Sequence, residues 1–123
     1  MGMKAETETM IVRACLDLLA MRGIMAWRQN QGGMLASYNG KQRFLRFAGV
    51  KGISDIIGLL NDGRFLAVEC KKGKGKLSDD QAAFLDAVRK RGGLSMCVRS
   101  VAELNENLNR ELAPAGVPAG KGA

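Results

Sequence analysis

The stretch "GISDIIGLLNDGRFLAVECK", residues 52–71, carries two apolar runs separated by an Asn-Asp-Gly tripeptide. Asn-Asp-Gly suits a three-residue hairpin loop, in which a type I turn is closed by a glycine in the left-handed region. The stretch therefore predicts two antiparallel strands joined by a tight turn. The second strand ends in Glu69 and Lys71, and these charges either meet water at the strand end or are held together for chemistry.

Pairing of the two strands would bring two acids face to face. Side chains alternate along a strand, so Glu69 and Lys71 share one face and Cys70 lies on the other. If residues 61–63 form the loop, Asp55 lies directly opposite Glu69, with Cβ atoms ~5 Å apart. Such carboxylates repel unless a cation lies between them, and a divalent ion could take one oxygen from each. A slip of one residue would send Asp55 to the opposite face.

This predicted arrangement has what phosphodiester hydrolysis requires. A metal polarises the phosphoryl oxygen and lowers the pKa of a bound water, while a lysine offsets the charge of the transition state. The alternative interpretation treats Asp55, Glu69 and Lys71 as strand-end charges in water.

The composition excludes several other enzyme classes. The chain has no histidine, and its three cysteines, Cys15, Cys70 and Cys97, are isolated, which predicts buried free thiols. Clustered zinc ligands and a nucleophile with an imidazole base are therefore both missing. Any metal would be held by oxygen ligands, which favours Mg²⁺ or Mn²⁺.

The charge of the chain favours a polyanionic partner. Nineteen Lys and Arg residues against twelve Asp and Glu give a net charge of +7, and nucleic acid is the commonest polyanion that such a surface meets. The apolar runs fall well short of the ~18 residues that span a bilayer, and no signal-peptide pattern opens the chain. We therefore expect a cytoplasmic protein without a membrane segment.

Hydrophobic periodicity predicts one domain over residues 1–112, followed by an Ala-, Gly- and Pro-rich tail over residues 113–123 that lies outside it. The predicted elements are a helix over 5–22, a strand over 24–30, a loop or weak strand over 34–38, a strand over 43–47, the hairpin strands over 52–60 and 64–71, a helix over 79–93 capped by Ser78 or Asp79, a strand over 94–100 and a helix over 101–112. A mixed sheet flanked by helices follows, of the α/β or α+β class.

Residues 51–93 together resemble the VRR-NUC family, the virus-type replication-repair nuclease branch of the PD-(D/E)xK nucleases. The similarity extends to "AWRQN" upstream and "SMCVRSVAEL" downstream, from about residue 6 to 108. The motif order is Gly-Ile-Ser-Asp ending at Asp55, then Glu-Cys-Lys ending at Lys71, then Gln81 on a helix. The resemblance implies a metal-dependent DNA endonuclease with a restriction-endonuclease-like αβββαβ core. Ser54 replaces the superfamily's proline and leaves the acid in place.

The same resemblance implies roles for individual residues. Asp55 and Glu69 would be metal ligands together with the backbone carbonyl of Cys70, Lys71 would be the catalytic lysine, and Gln81 would support the site.

The family also carries an acid on its first helix, for which we choose Glu8 over Glu6. Glu8 shares one helical face with Ile11, Cys15 and Leu18, which predicts that it lies towards the sheet. The alternative is a solvated glutamate favoured by the helix dipole.

Basic and polar side chains around these motifs are candidate DNA contacts. They are Arg28, Asn30, Arg43, Arg46, Lys51, Lys72, Lys74 and Lys76. The last three form a basic loop that we expect to be flexible, and a solvated loop without a partner is the alternative. Trp27 is either a core residue, the commoner case, or a DNA contact.

The leading hypothesis is a stand-alone endonuclease that depends on Mg²⁺ or Mn²⁺. Family resemblance implies a phage or prophage enzyme that acts on branched DNA like a Holliday-junction resolvase, with flaps as the alternative substrate. The small domain favours a symmetric homodimer that cuts two strands. A non-catalytic basic DNA-binding module is the main competing hypothesis, and a structural protein with a basic surface is the third.

Overall fold

The computed structural model of the chain describes residues 6–29, 33–46 and 49–112. Its elements are α1 (Glu8–Met21), β1 (Met25–Arg28), β2 (Gly33–Tyr38), β3 (Lys41–Arg46), β4 (Ile56–Leu59), β5 (Phe65–Cys70), α2 (Asp79–Lys90), β6 (Leu94–Val98) and α3 (Val101–Glu111). This order confirms the predicted succession of helices and strands. The tail over residues 113–123 lies outside the described part of the chain. Across the described ranges, no helix is both long and apolar enough to cross a membrane.

Four strands form a mixed sheet in the order β1-β4-β5-β6. β4 pairs antiparallel with β1 and β5, and β5 pairs parallel with β6, so the connection through α2 is a crossover. The predicted mixed α+β class is confirmed.

A second, two-stranded sheet consists of the antiparallel pair β2 and β3. Its turn is Asn39-Gly40, and both residues have positive φ, 52° and 76°. This is the dipeptide of a type I′ hairpin turn, whose twist matches that of the flanking strands. A full strand therefore stands where the sequence favoured a loop or weak strand, and the Asn-Gly signal was overlooked.

The β4–β5 hairpin has the predicted register. Ile56 pairs with Val68 and Leu59 with Phe65. The turn is closed by Gly63, which has a φ of 92° and whose N–H donates to the Leu60 carbonyl at 2.8 Å. Because the register continues beyond the ladder, Asp55 comes opposite Glu69.

The two central strands, β4 and β5, are covered on both faces over most of their length. Alternate residues of β4 and β5, including Ile56, Val68 and Cys70, pack with α1 and α3, whose buried residues include Cys15, Leu19, Leu104 and Leu108. The intervening residues Ile57 and Ala67 pack against Leu85 and Val88 of α2. Leu85 is therefore central to the buried apolar face of α2, whereas Ala83 is exposed. The contact face of α2 contains Leu85 and Val88, which are three residues apart and so lie on one side of the helix.

Each helix begins at a hydroxyl side chain that caps it. Thr7, Ser78 and Ser100 accept hydrogen bonds from the backbone N–H groups of Met10, Gln81 and Glu103. These bonds satisfy N–H groups that have no partner within the helix. Ser78 is thus the cap of α2, one of the two predicted alternatives.

Gly52 fixes the approach of the chain to β4. Its φ of 72° lies in the left-handed region, and a Cβ there would overlap the backbone of Asp80 and Gln81. Gly52 therefore packs on the first turn of α2, and β4 begins at Ile56 and not at residue 52 as predicted.

We predict that Gly52→Ala destabilises the protein more than Gly63→Ala does. Gly63 also has positive φ, but a Cβ there meets no atom within 4 Å, so its replacement costs only the backbone strain of about 1–2 kcal/mol. Gly52→Ala adds the clash with α2, at least ~1 kcal/mol more. Urea unfolding of both variants measures the difference. Equal losses would show that the close packing on α2 is absent.

Candidate active site

Asp55 and Glu69 lie together where β4 begins and β5 ends. The Asp55 N–H donates to Glu69 Oε1 at 3.2 Å, and the Cys70 N–H donates to Asp55 Oδ2 at 2.8 Å. The two carboxyl groups also contact each other, and Glu69 is only 2% exposed. The strand pairing has therefore brought the two predicted acids into one buried site.

The pKa of Asp55 is raised above its ordinary value, chiefly because burial penalises the charged carboxylate. The Cys70 N–H and the contact with Glu69 act in the opposite direction, Glu8 adds repulsion, and Lys71 offers attraction. A carboxyl pair held in this way favours either a shared proton or a cation.

Lys71 and Gln81 both contact the same oxygen of Glu69. Lys71 Nζ lies 3.5 Å from Glu69 Oε2, and Gln81 Nε2 donates to that oxygen at 3.1 Å. Gln81 Oε1 meanwhile accepts from the Ser78 N–H at 2.9 Å, which completes a capping box. The capping box that begins α2 therefore also orients the Gln81 side chain towards Glu69.

Three hydrogen bonds tie the basic loop after β5 to α1 and to the end of β6. The Lys71 N–H donates to the Val98 carbonyl at 3.0 Å, and the Lys72 N–H donates to Glu8 Oε2 at 3.3 Å. Arg99 Nη1 donates to the Gly73 carbonyl at 2.7 Å. The backbone of the predicted flexible loop is thus held, while its lysine side chains Lys72, Lys74 and Lys76 are exposed.

Arg99 was not among the candidates from the sequence. Its contact with Gly73 arises because β6 runs parallel to β5, so that both strands end at the same edge of the sheet. No local motif around Arg99 marks this contact.

Glu8 reaches this end of the sheet from α1. Its side chain is exposed, it binds the backbone of Lys72, and its charge acts on Asp55. Among the described residues, however, no three His, Cys, Asp or Glu side chains form a metal-binding group. Glu8 and the Cys70 carbonyl therefore stay predictions as ligands, and Glu6 precedes α1.

The acid pair suits a hard divalent cation. Both side chains offer only oxygen ligands, and burial of the two groups opposes their charge in the absence of a counter-ion. Mg²⁺ is commonly bound through one or two carboxylates and keeps several waters. Asp55 and Glu69 therefore match what such an ion needs from a protein.

Ser54, which precedes Asp55 in the chain, is buried. It is 1% exposed, and its hydroxyl finds no hydrogen-bond partner within the described part of the chain. An unsatisfied buried hydroxyl costs stability. Ser54 is therefore a destabilising polar residue next to Asp55 in the chain.

The remaining candidates are spread around this edge. Arg28 is exposed on β1, and Lys51 Nζ lies 3.8 Å from Asp80 Oδ2 at the start of α2. Asn30 lies outside the described residues, as do the side chains of Arg43 and Arg46, whose backbone belongs to β3.

Two further expectations concern Trp27 and the cysteines. Trp27 is 42% exposed, so its interpretation as a core residue is wrong. The three cysteines are free thiols, with Cys15 and Cys70 buried and Cys97 half-buried.

Comparison with known proteins confirms the predicted resemblance to the VRR-NUC family. The family model described as "VRR-NUC domain" matches residues 20–102. A solved structure titled "VRR_NUC domain" is similar with a TM-score of 0.57 and 20% identity, covering 82% of this chain and 92% of the other. At 20% identity this structural similarity supports the fold alone. No curated protein matches the chain.

We predict that Asp55→Asn is stabilised relative to the wild type in metal-free buffer, increasingly so as pH rises. The folded pKa of Asp55 lies above its unfolded value near ~3.9, so its contribution is fully present below that pH and is lost as pH rises through the folded pKa. Asparagine has no such loss. Urea unfolding with EDTA between pH 4 and 8 measures the difference.

Asp62→Asn is the matched control with opposite sign. The backbone N–H and guanidinium of Arg64 lower the pKa of exposed Asp62, so its contribution is present at neutral pH and is lost as pH falls. Parallel pH profiles for Asp55→Asn and the wild type would contradict the account.

Proposed function

The chain belongs to the VRR-NUC domain family and so carries a nuclease-type domain, and from this premise we propose that it is an endonuclease that depends on Mg²⁺ or Mn²⁺ and hydrolyses phosphodiester bonds in branched DNA. The observation that carries this proposal is the buried contact of Asp55 with Glu69, with Lys71 Nζ at 3.5 Å. A module that only binds DNA gains nothing from paired carboxylates, because they repel the phosphates.

The acid pair and Lys71 would divide the chemistry between them. Asp55 and Glu69 would hold the divalent ion, which when bound polarises the phosphoryl oxygen and lowers the pKa of water. Lys71 would offset the negative charge that builds up on the phosphate in the transition state. Its side chain is only 14% exposed, so the attraction is less screened than at the surface.

Gln81 and Glu8 would act as supports around this centre. Gln81 holds Glu69 Oε2 in one orientation from the first turn of α2. Glu8 holds the backbone that follows Lys71, and it remains our candidate for a third acid.

Exposed cations near the acid pair would guide the DNA backbone. Lys72 and Lys74 follow Lys71 directly, and Arg28 lies on the adjoining edge strand. Phosphate contacts of this kind position a duplex without reading its sequence. Lys51, Lys76, Asn30, Arg43 and Arg46 remain candidates for the same role.

The substrate and the assembly are proposed from size and family resemblance. A domain of this size has a small DNA footprint, and a symmetric pair of such domains could cut two strands. We therefore propose a homodimer of phage type that acts like a Holliday-junction resolvase, with flaps as the alternative substrate.

Cleavage assays on four-way junctions, flaps, duplex and single-stranded DNA test the proposal, each with Mg²⁺, Mn²⁺ or EDTA. We expect Glu69→Gln and Lys71→Met to lower the metal-dependent rate by at least about 10²-fold, because the first removes a proposed metal ligand and the second removes the cation that offsets charge on the phosphate. Both variants should still bind DNA. Asp86→Asn and Lys90→Met are matched controls, since this exposed ion pair of α2, at 2.9 Å, should leave the rate unchanged.

Two outcomes would contradict the proposal. Binding without cleavage under any metal would favour the non-catalytic DNA-binding module. Cleavage that survives Glu69→Gln would show that the acid pair is not the catalytic centre.

A further inference from the structure

Trp27 is a large aromatic side chain left open to solvent on the sheet. It is the single tryptophan of the chain and is 42% exposed. Three apolar neighbours on β1, β4 and β5 are exposed with it, namely Met25, Leu59 and Phe65. The register pairs Met25 with Leu59 and Leu59 with Phe65, so these residues form one row across the strands.

The strand register places Trp27 on the same face as the catalytic acids. Trp27 pairs with Ile57, and one step further the Gln29 N–H donates to the Asp55 carbonyl at 2.7 Å. Residues directly opposite in an antiparallel pair point to the same side, and so do residues two apart. Trp27 and Asp55 are therefore diagonal neighbours, whose positions in such a ladder lie about 7–8 Å apart. This spacing is about two base steps of a nucleic-acid strand, at ~3.4 Å each.

The indole has a polar anchor and an open surface. Its Nε1 lies 3.4 Å from Gln29 Oε1, to which it donates a hydrogen bond. α2 covers the paired residue Ile57, which is 4% exposed, but it does not cover Trp27 on the edge strand. The ring is thus oriented by its neighbour and accessible to a ligand.

We propose that Trp27 is a stacking platform for an unpaired base of the DNA strand that is cut, an inference that rests on the proposed nuclease function. Any base can stack on an aromatic ring, whereas a base inside a continuous duplex already has both faces covered. Trp27 therefore selects strands with an unpaired nucleotide at the cleavage site, as in flaps or single strands.

A nucleobase fits these observations better than a protein partner does. A strand whose phosphate reaches Asp55 passes within reach of the indole, since the two residues are diagonal neighbours on one face of the sheet. A protein seated on Trp27 would occupy the same approach. The basic net charge of +7 also favours a nucleic acid on this surface.

Intrinsic fluorescence tests the proposal directly, because all tryptophan emission comes from Trp27. The full chain is titrated in EDTA, to prevent cleavage, with a single-stranded oligonucleotide, an abasic strand of equal length and a relaxed closed-circular duplex. We expect strong quenching by the single strand. The abasic strand and the closed duplex should bind in mobility-shift assays without comparable quenching.

Variants measure the contribution of the ring to affinity. Trp27→Leu should weaken binding of a labelled single strand about tenfold while leaving the affinity for the abasic strand unchanged. Trp27→Phe should retain most of the affinity, because it keeps an aromatic face. Met25→Ala is the control, since Met25 is 64% exposed on the same face but lies farther from Asp55.

Several results would overturn the inference. Equal quenching by the abasic strand, or equal weakening of both strands in Trp27→Leu, would exclude base stacking. A shift of the emission maximum with protein concentration, in the absence of DNA, would assign the apolar row to a second copy of the chain. Cleavage without quenching would sink only this inference, whereas quenching without any cleavage would sink the nuclease proposal and leave the stacking intact.

Discussion

The antiparallel register of β4 and β5 is the constraint on which the site depends. It pairs Ile56 with Val68, and so brings Asp55 opposite Glu69 at the end of the ladder. Both faces of this hairpin are buried, one against α1 and α3 and the other against α2. A slip of one residue would move every side chain of a strand to the opposite face. The packing of three helices against the hairpin therefore fixes the register that places Asp55 opposite Glu69.

The same packing makes the site costly. Glu69 is 2% exposed, burial raises the pKa of Asp55, and Ser54 has a buried hydroxyl without a partner among the described residues. Gln81 and Lys71 offset part of this cost through Glu69. Polar groups that lower the stability of the ligand-free protein are typical of functional sites, where the residues that activity requires are often not the most stabilising ones.

The parts that the sequence predicted well are those governed by local chemistry. The Asn-Asp-Gly loop determined the hairpin, and Ser78 with Gln81 began α2. The Asn39-Gly40 turn is equally local and was overlooked. Trp27 and Arg99 are different, because the exposure of Trp27 depends on β1 being an edge strand, and the Arg99 contact depends on β6 running parallel to β5. Such tertiary facts leave no pattern in the nearby residues.

Calorimetric titration with Mn²⁺ is the most direct test of the central claim, that the hairpin assembles a cation site from buried Glu69 and half-buried Asp55. The account predicts a saturable site in the wild type, weakened at least about tenfold in Glu69→Gln and Asp55→Asn because each removes a charged oxygen ligand. Asp86→Asn, on the exposed face of α2, should bind as the wild type does. No saturable binding, or undiminished binding in Glu69→Gln, would contradict it.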